Sequence, residues 1–167
     1  RYQAALTCYK LMRAIDDLVD NYKTDHIFIS EDEKSKLMNQ VEDWLDNIGT
    51  ENTNIPLVDE VSITFRKFSI PKWTMESFAR SMIYDINNDG FASIDSFLEY
   101  SNGASVAPAS IFVHLNGLTE NGEGYREPAF DVKWAATPCA YFSYLVHIIR
   151  DFRKDQLNNL TYFADDI

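Results

Sequence analysis

The chain has 167 residues, 46% of them hydrophobic and 14% aromatic, which is enough to bury one sizeable core and short enough for a single domain. Its 26 acidic against 15 basic residues leave a net charge of −11, which disfavours a nucleic-acid partner and repels an anionic membrane surface, so any bound phosphate must be escorted by cations. No apolar run reaches the roughly 18 residues of a membrane span and no signal-peptide series occurs, so a soluble, cytoplasmic protein is expected.

Apolar residues recur at three- and four-residue spacing almost throughout and strand-like alternation is nearly absent, which predicts an all-α helical bundle. A first helix over about 2–22 puts Ala4, Ala5, Cys8, Leu11, Met12, Ile15, Leu18 and Val19 on one stripe. A second starts at the capping box Ser30 to Glu33 and carries Leu37, Val41, Trp44, Leu45 and Ile48, with 49–56 as its connector. A third follows Pro56, and a fourth is expected from Pro71 to about Ile86.

The stretch DINNDGFASIDSF, 85–97, begins like a calcium loop, with Asp85, Asn87, Asp89 and Gly90 in place. Its last ligand position holds Ser96 where a bidentate glutamate is needed, and no second copy occurs, so a solvated turn between helices is the preferred reading. Ser93 is a candidate N-cap for a fifth helix through Tyr100, after which Gly103 and Pro108 are expected to kink or break the path before 111–115. The turn-rich segment 116–128 reads as the longest loop. A final helix over about 128–158 must accommodate Pro138, with a kink expected near Thr137. Cys8 and Cys139 lack metal-ligand spacing and read as buried free thiols.

The chemistry concentrates in two segments. RAIDDLVD sets Asp16 and Asp20 four residues apart on one helix face, beside Asp17, with Arg13 and Tyr9 continuing the stripe; IIRDFRKD repeats the arrangement with Asp151 and Asp155 after Arg150. Carboxylates at that spacing on apolar helices repel unless a cation lies between them, and facing helices in a bundle commonly build metal sites in this way. All-oxygen ligation suits Mg²⁺, which keeps waters and binds substrate phosphates.

Taken together, CYKLMRAIDDLVD, SMIYDI, EYSNGASVAPASIFVHL, AATPCAYFSYLVHIIRDFRKD and LTYFADD, in this order, resemble the squalene/phytoene synthase family. The resemblance implies an all-α bundle of the trans-prenyl synthase type and Mg²⁺-dependent head-to-head condensation of two C15 or C20 prenyl diphosphates through a cyclopropylcarbinyl diphosphate. It implies Asp16, Asp20, Asp151 and Asp155 as catalytic metal ligands and Tyr9 as a further catalytic residue. Arg13, Asp17, Tyr100, His147 and Arg150 are implied to bind substrate. Tyr100, Phe112, Phe142 and Tyr144 are candidates to line a tunnel that shields a carbocation, and the small residues of GASVAPAS suit a close helix approach.

The chain resembles the central part of a longer domain of this type, without the C-terminal helices that usually complete the tunnel. Tyr144 and His147 stand where the family has glutamine and asparagine, Lys154 replaces an acidic residue, and of the closing motif only Tyr162 is retained, with Leu160 and Ala164 at altered positions. These departures leave a second reading open, a non-enzymatic relative serving assembly or binding. A calcium-binding module is a third. NADPH serves reductive relatives, and no GxGxxG fingerprint accompanies it here. Lipid substrates imply transient contact with a membrane surface, and no sequence feature specifies an oligomeric state.

Overall fold

The structure, a computed structural model, describes residues 1–26, 28–50, 53–122, 124–158, 162 and 164. It is all-α. The elements in order are α1 (Tyr2–Asp25), α2 (Glu31–Asn47), α3 (Pro56–Phe68), α4 (Trp73–Asn87), α5 (Ile94–Ser101), a π-helical turn (Asn102–Val106), α6 (Ala107–Gly117), two short strands β1 (Thr119–Glu120) and β2 (Tyr125–Arg126), and α7 (Val132–Leu157). Among the described residues no helix is long and apolar enough to cross a membrane.

The helices start where local chemistry permits. Ser30 caps α2 by accepting from the Glu33 amide while the Glu33 carboxylate accepts from the Ser30 hydroxyl and amide, and the hydroxyl bond first, then the amide bond, hold the Glu33 carboxyl down at about 2. Ser93 and Ser96 form the same reciprocal pair at α5. α4 begins at Trp73, two residues after the expected Pro71, because Pro71 and Lys72 form the preceding turn. α7 begins at Val132, capped by Asp131 Oδ1 accepting from the Trp134 amide, and runs unbroken through Pro138. The expected loop over 116–128 contains a small hairpin pairing Thr119 with Arg126 and Glu120 with Tyr125; its bend uses Gly122 at φ +90°, a conformation that favours glycine.

α1 buries Ala4, Cys8, Leu11, Met12, Ile15 and Val19 against α3, α4 and α6, and α2 lies on α4. Burial of the Cys8 thiol pushes its pKa up to about 12, as expected for an inert core cysteine, whereas Cys139 lies exposed on α7, contrary to the sequence expectation. Cys139 follows the helix turn away from Ala136 and Ala140, which are the residues of that segment that face inward.

The predicted break at Gly103 and Pro108 does not occur. The chain continues from α5 into α6 through the π turn, where the Ala107 amide donates to Asn102 O. This wider turn accommodates Pro108, which can neither donate to the preceding turn nor fit its ring inside a regular one. Ser81 Oγ on α4 donates to Tyr100 O at 2.7 Å and ties the start of the turn to the neighbouring helix.

Gly103 makes that approach possible: a Cβ there would lie 2.1 Å from Ser77 O and 2.2 Å from Ser81 Oγ. Gly103→Ala is therefore expected to push α4 and the π turn apart, at a cost of about 1–3 kcal/mol and a drop of several degrees in Tm. Thermal unfolding followed by circular dichroism measures it, and an unchanged Tm would mean that the contact is loose.

Candidate functional site

α1 presents Tyr9, Arg13, Asp16 and Asp20 at helical spacing toward a cavity of about 560 Å³, and α7 presents His147, Asp151, Lys154 and Asp155 toward the same space. Tyr100, Ala104, Ser105, Pro108 and Phe112, from the end of α5 through the π turn into α6, form its wall, with Tyr144 from α7. Met12, Phe78, Met82 and Ile148 add apolar surface. Both aspartate pairs thus open onto one chamber although they lie far apart in sequence.

The two pairs differ electrostatically. Arg13 Nη1 donates to Asp16 Oδ2 at 2.7 Å and Arg13 Nη2 pairs with Asp17 at 2.5 Å, yet burial, with Asp17 and Asp85 nearby, still raises the Asp16 carboxyl above the carboxylate range. Asp20 is raised to about 7 by burial first, then by Asp16 and Asp85, and the hydrogen bond donated by Tyr162 Oη at 3.2 Å offsets only part of this. On α7, Arg150 holds Asp151 in a two-pronged contact at 2.8 and 2.6 Å and lowers its carboxyl; His147 Nε2 lies 3.6 Å from Asp151 Oδ2. Asp155 is raised by burial and by Asp151. The shortage of positive charge is therefore most severe at Asp16 and Asp20.

Beneath the carboxylates lies an aromatic layer. Tyr100 is buried, with ring centroids 5.0 Å from Phe91, 5.8 Å from Tyr84 and 6.5 Å from Tyr144, while Tyr144 stacks on Phe97 at 6.0 Å. Burial pushes the Tyr100 and Tyr144 phenols above their ordinary range, so both remain protonated donors at neutral pH.

Of the residues picked out in the sequence, Tyr9, Arg13, Asp16, Asp20, Tyr100, His147, Asp151 and Asp155 line the cavity together. Asp17 and Arg150 do not line it; they are the ion-pair partners of the lining residues Arg13 and Asp151. Phe112 and Tyr144 take up the expected wall positions. Phe142 does not: it is 71% exposed on the opposite side of α7, two residues before the wall residue Tyr144 and so turned about 200° from it. Lys154 and Tyr162 enter the cavity without having been assigned there.

The turn over 85–97 is less solvated than expected at its start, because Asp85 is buried in the last turn of α4 and paired with Lys23 at 3.0 Å. That partner occupies the first calcium-ligand position and removes it from any calcium loop. The signal was Lys23 itself, three residues after Asp20 on the same stripe.

Among the described residues no group of three or more His, Cys, Asp or Glu side chains converges as a ready metal cluster. The donors stand instead as two carboxylate pairs across a gap. Hard oxygen donors in that arrangement fit an ion that keeps several waters and completes its shell from substrate phosphates.

No curated protein and no solved structure matches the chain significantly. The sequence profile of the family described as squalene/phytoene synthase matches residues 1–167, the entire chain. That family condenses prenyl diphosphates head to head on an all-α frame, and this chain belongs to it.

Proposed function

We propose that the protein joins two C15 or C20 prenyl diphosphates in a Mg²⁺-dependent reaction that passes through a cyclopropylcarbinyl diphosphate to a squalene- or phytoene-like product. The observation that carries this reading is the shared chamber, in which two aspartate pairs, with Arg13 and Lys154, face a wall that includes Tyr100, Phe112 and Tyr144. Asp16, Asp20, Asp151 and Asp155 would hold the metal, which when bound neutralises the charge of a departing diphosphate. Heterolysis of the allylic carbon–oxygen bond sends the electron pair to that diphosphate and leaves a carbocation that must be kept from water.

The chain's own residues serve both halves of that separation. Arg13 in the cavity and Arg150 beside Asp151 carry planar five-donor guanidiniums that can extend from their carboxylates to phosphate oxygens, and Lys154 adds a point charge to the lining. Tyr100, Tyr144 and Phe112 present ring surface toward the cavity, where π-faces attract a cation and displace water. Because Tyr100 stays protonated, it acts as a hydrogen-bond donor and not as a phenolate base.

One observation favours a second reading, a non-enzymatic relative: Asp151 is already engaged by Arg150 and His147. Thermal unfolding with Mg²⁺, a non-hydrolysable farnesyl diphosphate analogue, both, and neither separates the two. The enzyme reading expects stabilisation that requires both together. The assembly reading expects no shift with any combination, and calcium alone would raise Tm only if the loop over 85–97 were a metal site.

A further inference from the structure

The stripe of α1 that carries Arg13, Asp16 and Asp20 ends in a second cation. Lys23 is only 7% exposed, and its ammonium spends all three donors inside the protein: on Asp85 Oδ1 at 3.0 Å, on Asp85 O at 2.9 Å and on Asn88 O at 2.9 Å. The two carbonyls belong to the C-terminal end of α4, which Lys23 therefore caps, and the contact joins the last turn of α1 to the last turn of α4. Asp85, 7% exposed, is close enough to the cavity to act on Asp16, Asp20, Tyr100 and Tyr144. It is a third carboxylate near the α1 pair, and its counter-ion is a buried ammonium, whereas Asp16 shares the half-exposed Arg13 with Asp17 and Asp20, among the described residues, accepts only from the neutral Tyr162 hydroxyl.

We propose that Lys23 is a positioning residue of the acidic site, a resident ammonium that fixes α1 against α4 and balances Asp85, so that Asp16 and Asp20 are the carboxylates on that side left for an external cation. The proposal rests on the metal-dependent reading of the cavity. An ammonium with three fixed acceptors is held in place, and its buried pair with Asp85 offers a divalent ion no net charge, whereas Arg13 divides one charge between Asp16 and Asp17 and leaves that face negative. Removing one partner leaves the other as an uncompensated buried charge, whereas removing both does not.

The test is a double-mutant cycle of Lys23→Met, Asp85→Asn and the combined variant, read by Mn²⁺ binding through the electron paramagnetic resonance of the free ion and by Tm in metal-free buffer. Lys23→Met is expected to tighten Mn²⁺ at least threefold, because Asp85 then adds its charge to the pair. Asp85→Asn is expected to weaken it at least threefold, because the ammonium then keeps only the fully exposed Asp89, 3.8 Å away, as a carboxylate partner and repels the ion. The combined variant should return to within twofold of the parent protein and regain at least half of the Tm lost by Lys23→Met. Equal loss of Mn²⁺ binding in both variants that lack Asp85 would make Asp85 a ligand and overturn the proposal. Weakened binding in Lys23→Met with no recovery in the combined variant would reduce Lys23 to a structural role and overturn it as well. If the parent protein binds no Mn²⁺, the metal-dependent reading fails, and the Tm cycle alone decides: additive losses refute the charge balance, and recovery in the combined variant upholds it.

Discussion

Asp16→Ala and Asp151→Ala are each expected to abolish the joint stabilisation by Mg²⁺ and a prenyl diphosphate analogue and to lower turnover of farnesyl diphosphate by at least about a hundredfold. With ligand at about a hundred times its Kd the parent protein should gain about 2.7 kcal/mol from binding, which a thermal scan resolves readily. The two variants should differ in a telling way. Asp16→Ala leaves Arg13 paired with Asp17, so no cation is released. Asp151→Ala frees Arg150, which puts unpaired positive charge on α7 beside the cavity residue Lys154. That variant should therefore retain weak, metal-independent affinity for the diphosphate, detectable by calorimetry in chelator, whereas Asp16→Ala should not. Full joint stabilisation in both variants would sink the assignment of the two pairs to one diphosphate site.

Much of this architecture was legible because it depends on neighbours in sequence. The α1 stripe, the capping box at Ser30, the N-cap at Ser93 and the DxxxD spacings are local patterns, and each predicts its element directly. What remained hidden depends on partners that local pattern does not name. The π turn is set by Gly103 pressed against the backbone of α4 and by Pro108 needing a wider turn, and a reading that treats both residues as breakers cannot foresee that they cooperate. Asp85 looked like the head of a calcium loop because its partner Lys23 lies 62 residues away. Cys139 and Phe142 fail for a different reason: apolar neighbours in sequence suggest a buried thiol and a tunnel wall, while α7 packs on α6 and the π turn with one face and leaves Phe142 and Ile149 exposed on the other.

Asp20 should make the metal-free protein less stable as pH rises, and Asp20→Asn should remove that loss. The carboxyl titrates near 4 in the unfolded chain and at about 7 in the fold, so between those values the native state holds a proton that the unfolded state has released. The stability tied to that proton is fully present below pH 4 and is lost as pH climbs through about 7. Moving a carboxyl across that interval corresponds to roughly 4 kcal/mol, which partial solvent access reduces to about 2 kcal/mol. Asp20→Asn, which cannot ionise, should thus melt several degrees above the parent protein at pH 8 and converge with it near pH 4. Comparing the two proteins cancels the opposite contributions of Glu33, Asp59 and Asp151, whose carboxyls are lowered and whose stabilisation appears as pH rises. Parallel melting curves for the two proteins from pH 4 to 8 would show that Asp20 is not held under charge stress. A stabilised apo variant that no longer responds to Mg²⁺ and diphosphate would instead show that the fold tolerates an unfavourable carboxylate where an external cation is needed, the usual conflict between stability and function at a site that must bind charge.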